Sequence, residues 1–234
     1  MKKIILLALL AVGIAPVHAQ TSVGITGGYN LNSIRPNSSI EAMGYNVSSR
    51  SGWHAGLVAD KRLWKKYYLQ PQLLLNEKGY NYTYGMNEAP TYSFNKFKTR
   101  LLYLELQANL LFKQQTGNGK LFVGAGPYIA RGISGLERWD GQSYNSNMGS
   151  VVRFTKYSVV NYRSKAPDYA YGNITHIKPY DKGLNFLAGY ELKNGLFFNV
   201  VYSLELNNRG YDNNYKNKNT YFGLTAGYFL KKFS

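Results

Sequence analysis

Few side chains in this sequence could carry chemistry, and their spacing decides which chemistry is open to them. Of the three histidines, His18 lies in an apolar leader, while His54 and His176 stand alone, with no HExxH pair, nucleophile elbow or P-loop in the chain. His176 beside Asp168 or Asp181 would suit a surface hydrolase, but an unpatterned histidine in a polar stretch reads as surface. Gly124-Ala125-Gly126 lacks the third glycine and the following helix of a dinucleotide fingerprint. Asp212-Asn213-Asn214 lacks the glycine and the glutamate that complete a calcium loop. No catalytic residue, cofactor site or metal site is expected. What remains is Glu105, set in the middle of 101–112, LLYLELQANLLF.

If that stretch is extended, Leu102, Leu104, Leu106, Ala108, Leu110 and Phe112 form one apolar face, and Tyr103, Glu105, Gln107 and Asn109 form the other. A strand of this kind separates hydrocarbon from a polar interior. Leu101, Leu104, Ala108 and Leu111 also satisfy helical spacing, so the stretch alone is ambiguous. Its neighbours arbitrate. Residues 113–120, KQQTGNGK, make a tight reversal, and 121–131 alternate Leu121, Val123, Ala125, Pro127 and Ile129 against Phe122, Gly124, Gly126, Tyr128 and Ala130. Two such runs about a short turn are a hairpin.

The alternation recurs at 22–31, 52–60, 67–79, 183–192, 196–205 and 220–230, which with the hairpin gives eight strands. Asn194-Gly195 is the strongest turn signal. Pro71 removes a ladder donor from its strand, and Leu74 interrupts the polar face. A Tyr-rich loop is expected at 80–98. The largest insertion, 133–182, carries a segment at 151–160 that reads as a hairpin above the barrel.

Alternation leaves the sidedness open, because a soluble ligand-binding barrel has the same pattern with its apolar face inward. Three features favour a membrane barrel. Glycines on the polar face (Gly24, Gly28, Gly56, Gly124, Gly126, Gly189, Gly223, Gly227) suit the cramped inside of eight strands. Connections alternate long and short, as external loops and periplasmic turns do. Strands of about 9 to 12 residues match a tilted bilayer crossing. The expected fold is all-β, an eight-stranded antiparallel up-and-down transmembrane β-barrel with long external loops and short periplasmic turns, in the cell outer membrane. Trp64, Tyr67, Phe112, Tyr190 and Tyr228 should then lie at the periplasmic interface. The interior should hold a structural polar network of Gln70, Gln72, Lys78, Glu105, Gln107, Asn109, Asn199 and Glu205, joined by Glu191 and His54. A mid-strand Glu105 must be inward and paired, since a lone buried carboxylate is costly.

Residues 1–19 read as a secretory signal peptide, with Lys2 and Lys3, an apolar run, a Gly13/Pro16 break and a small-residue ending at Ala19. Residues 20–234 are read as one barrel domain. No later stretch reaches the ~18 to 20 apolar residues of a spanning helix. The chain has no cysteine, which excludes a disulfide scaffold and a cysteine-anchored lipoprotein. Its formal charge is +16, or +14 without Lys2 and Lys3. In a secreted chain that balance points to lipid phosphates and acidic glycans, not to nucleic acid. Outer-membrane lipid and lipopolysaccharide are the expected partners, with Lys61, Arg62, Lys65, Lys66, Lys113, Lys120, Lys193, Lys231 and Lys232 placed on the periplasmic rim. In the external insertion, Arg153, Lys156, Tyr157, Tyr162 and Arg163 are candidate contacts for an anionic glycan or an envelope protein.

Tyr68-Leu69-Gln70-Pro71-Gln72-Leu73-Leu74, Leu102-Tyr103-Leu104-Glu105-Leu106, Gly124-Ala125-Gly126-Pro127-Tyr128 and Ala188-Gly189-Tyr190-Glu191-Leu192 followed by Asn194-Gly195-Leu196 resemble, in order and spacing, the PorT-type outer-membrane β-barrel family of Bacteroidetes-like bacteria. The resemblance covers essentially the whole mature chain. It implies an eight-stranded outer-membrane barrel without catalytic residues, and a tie to protein secretion through the family's naming member. The sequence departs from the common pattern at its end, where Lys231, Lys232, Phe233 and Ser234 replace a terminal aromatic assembly signal. The functional expectation is a non-enzymatic barrel with a side-chain-filled interior, acting through external loops or through envelope or secretion-system proteins. The alternative is a narrow transporter or small-ligand-binding barrel.

Overall fold

The computed structural model describes residues 21–35, 46–88, 91–167, 173–211 and 218–233, with side chains described in these except at 86–88 and 231–233. The signal peptide expected at 1–19, Asp168 and Asp212-Asn213-Asn214 lie outside the described residues. The strands are β1 (Thr21–Arg35), β2 (Asn46–Ser48), β3 (Arg50–Trp64), β4 (Tyr67–Glu88), β5 (Thr91–Thr116), β6 (Gly119–Asn145), β7 (Ser150–Tyr162), β8 (Ile174–Ile177), β9 (Tyr180–Leu192), β10 (Leu196–Glu205) and β11 (Lys218–Phe233). Eight of them close an antiparallel up-and-down ring in the order β1-β3-β4-β5-β6-β9-β10-β11, with β11 returning to pair with β1. The short β2 pairs with β4, β7 pairs with the far half of β6, and β8 runs parallel to β7.

The stretch at 101–112 lies within β5 and has the two faces its alternation predicts. Tyr103, Glu105, Gln107 and Asn109 are buried, while Leu104, Leu106 and Leu110 are 43%, 46% and 50% exposed. Large apolar side chains are exposed on every ring strand, including Ile25, Leu57, Leu73, Val123, Phe186, Val200 and Leu224, so the outer surface is a continuous apolar belt. From Leu102 to Phe112 the belt covers about 34 Å along the strand, or about 26 Å along the barrel axis at a ~40° tilt, the height of a lipid-facing band.

The inside is packed solid. Val58, Leu111, Phe122, Leu187, Phe197, Val201 and Phe229 form an apolar layer between polar ones. Glycine makes room for these rings. A Cβ on Gly227 would stand 2.2 Å from Cζ of Phe197, and one on Gly189 would stand 2.6 Å from Cζ of Phe122. Three short turns join the strands at the end where the chain enters the barrel, and each holds a residue at positive φ: Lys65 (43°), Gly117 (56°) and Gly195 (94°). Pro71 and Pro127 fall at gaps in the β3–β4 and β5–β6 ladders, where their missing N–H costs nothing.

Four expectations are corrected. The loop placed at 80–98 is a continuation of β4 and β5, and the insertion from 133 begins as strand, since β6 runs on to Asn145. Residues 151–160 are not a hairpin by themselves but one strand, β7, laid along β6. Rings on these segments hold them extended through cross-strand stacking. Tyr82 stacks on Phe97 at 4.4 Å, Phe97 on Trp139 at 5.3 Å, and Trp139 meets Phe154 edge-on at 4.9 Å. Finally, Lys113 is not on the rim but inside the barrel. The rim aromatics do cluster, with Tyr67 between Trp64 (6.2 Å) and Phe112 (5.6 Å), and Lys65 and Lys66 over the outer rings.

A lipid-facing belt makes a quantitative demand. Leu106→Arg, at mid-belt, should lower unfolding free energy in lipid vesicles by about 2–4 kcal/mol. Val151→Arg on the exposed part of β7 should change it by less than about 0.5 kcal/mol. Denaturant titration followed by tryptophan fluorescence measures both, and equal effects would place Leu106 outside hydrocarbon.

Candidate functional site

Two buried lysines organise the interior. Toward the external end, Nζ of Lys78 on β4 lies 2.8 Å from Glu105 on β5 and 2.9 Å from Asp181 on β9. Three rings surround it, Tyr128 at 4.3 Å, Tyr103 at 5.5 Å and Tyr221 at 5.7 Å, and the Tyr128 hydroxyl donates to Asp181 at 2.9 Å. Toward the periplasmic end, Nζ of Lys113 lies 2.8 Å from Asp60 and 2.7 Å from Glu191, beneath Tyr68, Phe122 and Phe229. Each cluster is one ammonium shared by two carboxylates and faced by three rings. An ammonium has three donors and gains from ring faces, so both its charge and its hydrogens are satisfied.

From Glu105 a hydrogen-bonded chain crosses the lumen. Asn76 Nδ2 donates to Glu105 (3.1 Å), Asn30 Nδ2 donates to Asn76 Oδ1 (2.8 Å), and His54 Nδ1 donates to Asn30 Oδ1 (2.8 Å), leaving Nε2 to meet the Thr225 hydroxyl at 3.0 Å. Gln107 donates to Glu105 and Asn109 to Gln107. The cavity left between His54, Gln72, Gln107, Asn199, Tyr221 and Thr225 is about 10 Å³, roughly the room of one water.

The eight residues assigned to the interior all point inward and are buried, but they do not form a single network. Lys78, Glu105, Gln107 and Asn109 are connected, and Gln72 donates to Gln70 in a separate pair. Glu205 belongs to a third group at the external mouth, where it pairs with Arg209 at 3.5 Å and accepts from the Asn219 backbone N–H. Asn199 lines the small cavity. Sequence reasoning missed Asp60, Lys113 and Asp181. Asp60 and Lys113 continue the inward parity of their strands, a signal that was present. Asp181 fell inside the presumed insertion and so was offered to His176; it is held by Lys78 and Tyr128 instead. Among the described residues no group of three His, Cys, Asp or Glu is placed to hold a metal ion.

The external candidates separate in the same way. Above the belt β4, β5, β6 and β7 continue as a four-stranded sheet. Register pairs Lys98 with Arg138 and Arg138 with Tyr157, and places Lys96 beside Asp140 and Arg153 beside Gln142, on the face continuous with the belt. An open hollow of about 370 Å³ lies there, lined by Phe94, Lys96, Asp140, Gln142, Arg153 and Thr155. Lys156 occupies the opposite face, over Trp139 at 5.4 Å. Tyr162 is half-buried: it packs on Tyr103 at 5.9 Å, and its hydroxyl donates to the Ser134 carbonyl at the barrel mouth. Arg163 is exposed beyond β7, and its carbonyl accepts from Tyr211.

A closed ring of eight antiparallel strands with an apolar exterior and a polar, charge-paired interior defines an integral β-barrel of the outer membrane. The family model for the outer membrane protein beta-barrel domain matches residues 18–209, and the chain belongs to that family. Solved structures with a similar course include Ail, the attachment invasion locus protein of Yersinia pestis, at 12% identity over 93% of this chain and 100% of that one, TM-score 0.34. Neisserial surface protein A is similar at 11% identity over 90% and 99%, TM-score 0.36. At those scores neither likeness bears on what this chain binds. Among curated proteins none matches.

Removing Lys78 tests the external cluster. Lys78→Met strands two buried carboxylates and should cost about 3–5 kcal/mol of unfolding free energy in micelles. Adding Glu105→Gln and Asp181→Asn should restore most of it; a single variant as stable as the parent would show that the cluster is not needed. On the external sheet, Arg138 donates to Asp140 at 2.8 Å and holds that carboxyl below the usual carboxylate range. Because the folded value is depressed, this contribution is complete above the unfolded value of about 3.9 and is lost as pH falls through the folded one. The protection factor of the Thr155 amide, exchange being corrected for its intrinsic pH dependence, should therefore fall in acid, and Asp140→Asn should abolish that dependence.

Proposed function

We propose that this outer-membrane barrel neither catalyses nor conducts, and that it works by presenting its external sheet to an acidic partner in the envelope or at the cell surface. One observation carries the reading: β4–β7 stand roughly 35 Å of strand beyond the belt, offering Phe94, Lys96, Lys98, Arg138, Arg153 and Tyr157 on one face. Rings and cations on a rigid sheet suit recognition of acidic surfaces. The barrel below is filled by side chains, which supports a scaffold over a pore. The resemblance to PorT-type barrels favours a partner in secretion or envelope assembly.

A narrow transporter is the second reading. It is favoured by Asn109 Oδ1 and both amide atoms of Asn185, which are buried without a protein partner in the lumen. Two measurements separate the readings. A photocrosslinker at Tyr157 in native envelopes should capture an envelope or secretion-system protein, and capture of lipid alone overturns the proposal. Liposomes holding the purified protein should show no ion flux above background; reproducible flux selects the transporter.

A further inference from the structure

Toward the external edge of the belt, two neighbouring ring strands each turn a cation outward directly after a run of apolar residues. On β6 the outward series Leu121, Val123, Ala125, Pro127, Ile129 leads to Arg131, with Ile133 exposed beyond it; on β9 the series Tyr190, Ala188, Phe186, Leu184 leads to Lys182, with Tyr180 exposed beyond it. In the ladder Ile129 opposes Lys182 and Arg131 opposes Tyr180, so Arg131 and Lys182 are diagonal neighbours, with Cβ atoms about 7 Å apart. Both side chains are exposed, and neither makes an ion pair with a described residue. The nearest carboxylate in sequence, Asp181, points the other way and is held by Lys78. Two like charges side by side at the edge of a low-dielectric medium repel unless an anion lies between them.

We infer that Arg131 and Lys182 form a binding site for the phosphate of an outer-leaflet glycolipid. The fit follows from what surrounds the pair. Below it, Leu106, Ile129 and Leu184 offer acyl chains an unbroken apolar surface; beside it, Tyr180 offers a half-exposed ring at headgroup level. Arg100 continues the cationic edge on β5, immediately after Leu102, though it is already engaged by Glu77. A ligand with hydrocarbon below and phosphate at its junction satisfies both halves, whereas a soluble anion uses only one. An acidic protein segment would have to enter the lipid boundary to reach Lys182. The site lies at the end opposite the rim lysines and does not depend on the external sheet having a partner.

Native mass spectrometry of the full chain released from micelles tests it, with a bis-phosphorylated glycolipid, the same glycolipid with phosphates removed, and inorganic phosphate as probes. The wild type should retain the phosphorylated form on the order of 20-fold better than the dephosphorylated one, as expected for two cations near a charged surface. Arg131→Gln with Lys182→Gln should remove that preference, and Arg131→Lys should keep most of it. Equal retention of the two glycolipids by the wild type, unchanged retention in the double variant, or inorganic phosphate binding as tightly as the glycolipid would each overturn the site. Heat-modifiable gel mobility checks that the variants fold; should the double variant fail to fold, the wild-type comparison still decides.

Discussion

Everything in the barrel depends on keeping a charged interior neutral enough to bury. Lys78 and Lys113 each carry one positive charge into a space that excludes water, and each is met by two carboxylates from different strands. Burying an ion pair contributes little net stability, because desolvation offsets the Coulomb gain. Breaking one costs far more, so the pairs act as a test of register. If β4 slipped by one residue against β5, Lys78 would face lipid and Glu105 would be left alone. The Lys78 cluster and the chain from Glu105 to Thr225 together draw side chains from β1, β3, β4, β5, β6, β9 and β11, which ties the closure of the ring to one set of contacts.

That arrangement also accounts for the composition. An eight-stranded ring has room for one layer of side chains, so large rings on one strand require no side chain opposite. Phe197 lies over Gly227, and Tyr128 over Gly183. The abundance of both glycine and aromatics is one packing solution seen from two sides. Close packing of rings against glycine then leaves little open volume in the lumen.

Much of the barrel was legible in the sequence because period-two alternation is decided locally. Leu104 and Glu105 could be assigned to opposite faces without any knowledge of their partners. The pairing of Glu105 with a base was also legible in kind, since a buried carboxylate demands one, but the choice of Lys78 and Asp181 was not. Asp181 lies 103 residues from Lys78 and meets it only because β9 follows β6 around the ring, skipping β7 and β8. The external strands were missed for a different reason. Tyr, Asn and Thr are frequent in loops, and the segments at 80–98 and 133–145 have no apolar face to mark them. Their extended form comes from rings stacked across four strands, and those partners are distant in sequence.

The external face could not have been read from alternation even with the strands known. Between Gly132 and Ser134 the β5–β6 ladder takes up one extra residue, Ile133, against the adjacent pair Leu102 and Tyr103. Such a bulge inverts the parity of everything beyond it. Before it, even positions of β6 such as Phe122 and Tyr128 point inward; after it, Glu137 and Trp139 take the inward side, while Arg138 and Asp140 turn outward beside Lys98 and Thr155. Continued without the bulge, the barrel's alternation would have carried Arg138 and Asp140 over the lumen and left Trp139 facing lipid headgroups. One inserted residue thus divides β6 into a stave that seals the membrane and a strand that carries charge outside it. That shift brings Arg138 onto the face where the unbroken parity of β5 already places Lys96 and Lys98.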